Sequence, residues 1–244
     1  MSEFSPYGGD AWRLVEAQHR VSTMKLVDDL EEQALLEDIV ETAKPPLPPE
    51  CRHLHYLLST PFRYGAPYPH GSRFRRAGHT GGVWYGSQRV ETAVAEMAFY
   101  RLLFFAESPS TPWPRGIAEF TAIAATLATP RLIDLAESRF DADRAALEHP
   151  TDYSACQALA DRARREGAEI IRYRSVRDPA MGNNFAVLAC AAFAKPAPVA
   201  RLTWNLRISD TGVLALGPES GDRLGFDRAT FAADPRIAAM AWDR

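Results

Sequence analysis

Residues 82–101 read GVWYGSQRVETAVAEMAFYR, and the change of period inside this stretch sets the fold class. Gly82–Tyr85 reads as a short β-run. Gly86-Ser87 offers an N-cap, and helical periodicity follows over Ser87–Ala106. Val90, Ala93, Val94 and Met97 form one apolar stripe. Glu96, Phe99, Tyr100 and Leu103 fall at i, i+3, i+4 and i+7, so Glu96 heads a second apolar stripe. A carboxylate in that position is half-buried, and half-buried carboxylates have a partner or a task. Two readings stand: a structural Glu paired with a nearby arginine, or a working acid. Tyr85 lies 96 − 85 = 11 residues earlier. A strand end followed by two to three helical turns folds the carboxylate back beside its ring.

Upstream, Cys51 to Val90 contains no Asp or Glu but six arginines: Arg52, Arg63, Arg73, Arg75, Arg76 and Arg89. The whole chain carries −3, so the remainder carries −3 − 6 = −9. Lysine is absent from the stretch. Guanidinium forks hold phosphate through paired hydrogen bonds, which an ammonium cannot do. Gly71, Gly78, Gly81 and Gly82 lie among them, and glycine lets a backbone approach a ligand closely. A solvated basic loop and a pocket for an anionic, nucleotide-like ligand are both consistent with the charge alone. With Glu96 beside it, the segment Arg63–Glu96 reads as the pocket, and Glu96 as its working carboxylate.

Downstream, Ile170–Asn184 reads IIRYRSVRDPAMGNN. A β-like run ends at Ser175, flanked by Arg172, Arg174 and Arg177, and a Pro/Gly/Asn turn follows. A hydroxyl there suits a small polar contact to ligand. No Ser/His/Asp arrangement surrounds it, which argues against an acyl-transfer nucleophile.

Further β-like runs fall at His55–Leu58, Ile117–Leu127, Arg131–Leu135, Glu169–Val176, Val199–Ile208 and Val213–Leu216, and a second helical period at Tyr153–Glu166. These do not alternate as in a parallel βαβ array, so α+β is expected. Residues 11–43 read as helix, with an acidic stretch at Asp28–Glu41 that is either a solvated face or a partner contact. Lys44–Glu50, KPPLPPE, cannot continue a helix. It divides a helical N-terminal appendage, residues 1–50, from a domain over 51–244.

Composition excludes several classes. The 46% hydrophobic and 24% charged fractions fit a globular chain, and the net charge of −3 argues against a general nucleic-acid binder. No signal peptide is visible, and the longest apolar run, Phe185–Ala194, is too short to span a bilayer; a cytoplasmic protein is expected. Cys51, Cys156 and Cys190 are read as reduced thiols. Cys51-x-His53-x-His55 would share one strand face but lacks a fourth ligand and the zinc spacings, so no metal is assigned. His70 and His79 lie in the Gly/Arg-rich loop and can reach a ligand. There is no GxGxxG and no P-loop.

PFRYG (61–65), GSRFRRAG (71–78), GVWYGS (82–87), TAVAEMAFYR (92–101) and RYRSVRDP (172–179) together resemble the RES family, over roughly Leu54 to Arg244. The resemblance implies an ADP-ribosyltransferase-like mixed β-core that cleaves NAD, as the toxin of a pair with an Xre-like antitoxin. It implies Arg63 and Arg73 at the pyrophosphate, Tyr85 stacked on nicotinamide, Glu96 as the acid, and Ser175 positioning ribose or nicotinamide. Inorganic phosphate or water would be the acceptor; transfer of ADP-ribose to a protein and a non-catalytic nucleotide-binding module are the alternatives. Where many members read GGRWN this chain has GSRFR, so Arg73 and Arg75 compete for one role. The N-terminal appendage is longer than in compact members, and oligomer contacts or antitoxin docking are the expectation for it.

Overall fold

The computed structural model describes residues 4–16, 26–63, 71–78 and 81–243. His70 and His79 lie outside them. The elements run β1 (Ser5–Glu16), α1 (Leu30–Ala43), α2 (Tyr56–Arg63), β2 (Trp84–Ser87), α3 (Val90–Glu107) and β3 (Ala118–Asp134). Then follow α4 (Arg144–Leu147), α5 (Ser154–Arg165), β4 (Ile170–Arg174), β5 (Asn183–Val187), β6 (Ala200–Ser209), β7 (Gly212–Leu216), β8 (Arg223–Asp227) and α6 (Pro235–Ala238).

The strands form one sheet in the order β1-β2-β5-β4-β3-β6-β7-β8, and β1 also pairs with β3. The pairing therefore closes a cycle, β1-β2-β5-β4-β3-β1, from which β6 to β8 extend. Two seams of the cycle are thin. β1 meets β2 only at Trp12↔Ser87, and β3 meets β4 over Leu132–Asp134, the sole parallel pairing among the described strands. A mixed, mostly antiparallel sheet with helices packed on it is the expected α+β class.

Side-chain alternation puts a core on each side of the sheet. Trp84, Ile170, Phe185 and Val187 pack toward Leu58 and Phe62 of α2. Ile171 and Ala186 pack toward Leu159, Ala160 and Ala163 of α5, with Tyr85 and Tyr173 against that cluster. A third cluster places Phe99 and Leu102 of α3, both fully buried, on Phe120, Trp204, Leu206 and Val213. Each such side chain contributes roughly 1.5–3 kcal/mol by leaving water. Helix α3 is buried over much of its circumference, which holds Glu96 rigidly.

Several expectations are corrected. Residues 11–16 are strand, and helix begins only at Leu30; residues 17–25 lie outside the described ones. Gly8-Gly9 disfavours helix, and alternation sends Ala11 and Val15 to one core and Trp12 and Leu14 to another. His55–Leu58 opens α2 instead of forming a strand: the His55 carbonyl accepts from the N–H groups of Leu58 and Ser59, and Leu58 and Phe62, one turn apart, are buried. The two runs at 117–127 and 131–135 are one strand, β3. The N-cap of α3 is Arg89, and Ser87 stays in β2, donating to Asn184 Oδ1 at 2.6 Å. Cys51 and Cys190 are joined as a disulfide with Cα atoms 5.5 Å apart, leaving Cys156 as the free, buried thiol. Cys51 sits in a 3₁₀ turn, off any strand face, and no group of three metal-ligating side chains occurs among the described residues.

Candidate active site

A row of side chains in register forms the floor of a cavity. Ser87 of β2, Asn184 of β5 and Tyr173 of β4 are cross-strand neighbours, and Tyr85 lies two residues before Ser87 on the same face. Helix α3 crosses above them and lowers Glu96 onto the row. The cavity measures about 280 Å³ and is lined by Glu96, four tyrosines (Tyr85, Tyr100, Tyr153, Tyr173), Trp12, Asn184 and the arginines Arg13, Arg73 and Arg177, among others. That is close to the lower end of small-molecule sites, roughly 300 Å³.

Glu96 is held on one side only. Its Oε1 accepts from Ser175 Oγ at 2.7 Å and from Asn184 Nδ2 at 2.6 Å, while Oε2 has no hydrogen-bond partner among the described residues. Ser175 has spent its single proton on Glu96, and its oxygen accepts from the N–H groups of Arg177 at 3.1 Å and Asp178 at 3.0 Å. It is 2% exposed and stands behind the carboxylate instead of on the cavity wall. A hydroxyl so placed orients an acid and polarises it; it is no nucleophile.

The 175–182 loop keeps Ser175 there. Asp178 Oδ2 accepts from Thr92 Oγ1 of α3 at 2.7 Å and from the Gly182 N–H at 3.1 Å, and the Gly182 carbonyl accepts from the Ser175 N–H at 2.8 Å. Position 182 has to be glycine, because a Cβ there would lie 2.1 Å from Thr92 Oγ1. From the other side, buried Arg177 stacks 3.7 Å from the centre of the Phe99 ring and pairs with Asp234 at 3.1 Å. Burial alone would raise the Asp234 pKa, but the side-chain and backbone hydrogen bonds from Arg236 and the Arg177 charge outweigh it and hold the group below its usual value.

Two of these tyrosines, Tyr85 and Tyr173, are held as phenols. Burial pushes Tyr85 up, against the opposing hydrogen bonds from Ser72 and the Phe74 N–H. Burial, reinforced by the Glu96 carboxylate, pushes Tyr173 well above the ordinary range. Tyr85 also shapes the cavity through its hydroxyl, which lies 2.8 Å from Ser72 Oγ and accepts from the Phe74 N–H at 3.1 Å. This fixes the tight turn in which Ser72 and Arg75 exchange backbone hydrogen bonds.

The arginines separate. Arg73 lines the cavity, donating to the carbonyls of Leu147 at 2.9 Å and His149 at 3.0 Å and lying 4.6 Å over the Tyr153 ring. Arg75 is buried but off the cavity wall. Arg63, at the end of α2, is not on the wall either; it pairs with Glu41 of α1 at 2.6 Å. The structure thus brings Tyr85, Glu96 and Arg73 to the cavity with Ser175 behind them, and leaves Arg63 and Arg75 outside it. Sequence reasoning missed Trp12, Arg13, Tyr153, Tyr173 and Asn184. For Asn184 a signal existed: alternation from buried Phe185 puts Asn184 and Ala186 on the opposite face, where Glu96 was expected.

A strand-built floor, a helix-borne carboxylate held at one oxygen and a wall of aromatic rings together shape a cavity of small-molecule size. A family model for the RES domain matches residues 47–208, about two thirds of the chain, and the protein belongs to the RES-domain family. No curated protein matches it. Among solved structures, the crystal structure of the M. tuberculosis MbcT–MbcA toxin–antitoxin complex contains a chain 13% identical to this one. The match covers 97% of this chain and 92% of that one, with a TM-score of 0.44.

Proposed function

We propose that this protein is a toxin that cleaves the nicotinamide–ribose bond of NAD. The observation that carries the reading is Glu96: an acid fixed at Oε1 by Ser175 and Asn184, with Oε2 left for a ligand, in a cavity walled by tyrosines. An aromatic wall suits a planar nicotinamide ring, and a fixed carboxylate suits the positive charge that builds on ribose as the bond breaks.

The step needs few groups. The C–N bond breaks with its electron pair passing to the nicotinamide nitrogen, which leaves neutral and takes up no proton. Glu96 holds a ribose hydroxyl and stabilises the oxocarbenium ion. An oxygen of water or of inorganic phosphate then forms the new C–O bond; with water, one proton goes to solvent. The fold reading that accompanies this chemistry is an ADP-ribosyltransferase-like core acting in the cytoplasm, and the accompanying partner is an Xre-like antitoxin. A homo-oligomer and a role for residues 1–50 in its contacts or in antitoxin docking belong to the same proposal.

The test is incubation of the purified chain with NAD, with and without phosphate, and identification of the products. Nicotinamide release is expected, abolished in Glu96→Gln, whose amide oxygen still accepts from Ser175 and Asn184 and so preserves the fold. Full NAD turnover by that variant would refute the assignment. Label from NAD appearing on a polypeptide, with bulk NAD nearly unchanged, would replace it with protein ADP-ribosylation.

A further inference from the structure

Two exposed apolar surfaces lie away from the Glu96 cavity. The first is on α1, where Leu35 and Ile39 stand one turn apart, each more than half exposed. Only Gln33 of this helix is buried, and Glu41 ties it to Arg63 of α2. At 3.6 residues per turn, Glu31 and Asp38 flank the Leu35–Ile39 ridge on one side and Glu32 on the other. The helix contains no base, and Glu31 and Asp38 have no ion-pair partner among the described residues. The second surface is the outer face of β6, β7 and β8. Cross-strand register puts Arg207, Leu214 and Gly225 in one row and Asn205, Leu216 and Arg223 in the next. Leu214 and Leu216 are more than half exposed and border a groove of about 370 Å³. The groove exists because Gly225 has no side chain: a Cβ there would meet only Leu214 Cδ2, at 3.8 Å. Arg207, on the groove wall, has no ion-pair partner among the described residues, and Arg223 gives only its Nε, to the Ser220 carbonyl at 3.1 Å. The carboxylates of this face stand at its margins, Glu119 on β3 opposite Asn205 and Asp227 turned back to Thr230 and the Ala229 N–H. Exposed apolar patches with polar rims mark contact surfaces. Helix α1 and strands β7 and β8 all lie outside residues 47–208, the stretch that the family model matches.

We infer that α1 of one copy of this chain docks in the β6–β8 groove of a second copy, Leu35 and Ile39 entering over Gly225 with the acids of the helix facing Arg207 and Arg223. Charge selects the occupant. Two α1 helices laid on each other would oppose acid to acid, and two β6–β8 faces would oppose arginine to arginine, so each surface fits the other better than it fits itself. A helix seated in an apolar groove is anchored by residues at i and i+4, the spacing of Leu35 and Ile39. A two-fold axis repeats the contact, so that one dimer holds it twice. The inference rests on the homo-oligomer reading above and is independent of the NAD chemistry, since neither surface lines the Glu96 cavity.

Sedimentation velocity of the full chain over a concentration series should show a reversible dimer. Ile39→Lys sets a cation against the arginines of the groove, and Gly225→Glu fills the groove and sets an acid against the acids of the helix. Each should raise the dimer dissociation constant about tenfold or more, the loss of one buried anchor, with circular dichroism and NAD turnover per chain unchanged. An equimolar mixture of the two variants should associate more tightly than either alone, because the helix of the Gly225→Glu chain and the groove of the Ile39→Lys chain are both intact. A wild type that is monomeric at every concentration would overturn the inference and pass α1 to the antitoxin reading. A dimer that neither variant weakens would overturn it as well, and so would a mixture no tighter than its components. Should Gly225→Glu fold poorly, Arg223→Glu takes its place in the same mixture. Turnover is read on the same samples, so a failed dimer and a failed NAD assignment are told apart.

Discussion

Replacing Ser175 with alanine tests the idea that this hydroxyl positions Glu96 and does no chemistry of its own. The substitution removes one hydrogen bond to a charged acceptor, Ser175 Oγ to Glu96 Oε1 at 2.7 Å, a bond worth roughly 1.5–3 kcal/mol. It also strips the N–H groups of Arg177 and Asp178 of their acceptor in a buried loop, at about 1–3 kcal/mol for each donor that water fails to reach. Ser175 is 2% exposed, so water rescues little, although Asn184 still holds Glu96. The expected stability loss is about 3 kcal/mol by urea unfolding, read as a shift in midpoint at unchanged slope. NAD turnover should fall by about one to two orders of magnitude, the equivalent of ~1.4–2.8 kcal/mol in the barrier, with most of the loss in kcat. A residual rate well above that of Glu96→Gln is essential to the argument. If Ser175→Ala were as stable as wild type, the hydrogen-bond network drawn around Glu96 would be wrong. If its activity fell to the level of Glu96→Gln, Ser175 would have to touch substrate directly.

Two further outcomes follow from the loop and its anchors. Asp234→Asn should cost about 3 kcal/mol, because it leaves Arg177 buried beside a neutral group, and it should also flatten the acid limb of the stability curve. The folded pKa of Asp234 lies below its unfolded value. The stability it contributes is therefore complete above the unfolded pKa, near 3.9, and disappears as pH falls through the folded value; equal acid limbs for wild type and variant in urea titrations would refute the pairing. Gly182→Ala should destabilise by about 2 kcal/mol or more through overpacking, since its Cβ meets Thr92 Oγ1 at 2.1 Å and Asp178 Oδ2 at 2.7 Å. Pairing it with Thr92→Ala should recover part of the loss in thermal unfolding, and strictly additive losses would count against the contact.

The centre of the site was legible because its signals are local. The period switch in residues 82–101 gave β2, α3 and the return of Glu96 toward Tyr85, and the strand end at Ser175 lies where the sequence pattern put it. What was not legible depends on long-range pairing. β1 owes its state to β3, with Ala11 opposite Ala125, and nothing within residues 5–16 announces that partner. β5 was hidden because Asn183-Asn184 reads as turn chemistry, although both residues are paired in the sheet. Arg63 shows the limit of motif reasoning: its residue type fits a phosphate, but the acidic helix α1 offers it a carboxylate first.

The route by which β1 enters the sheet has a consequence for synthesis. Of the residues that line the cavity, Trp12 and Arg13 are synthesised before the rest, and Arg177 and Asn184 are among the last. The strand that binds them into one wall must wait for β3, more than a hundred residues later, and loops of that span close late because their entropy is lost before any contact forms. A nascent chain therefore holds no finished cavity at any length short of β5. Whatever this site does, it can do only after the earliest and latest of these segments have met.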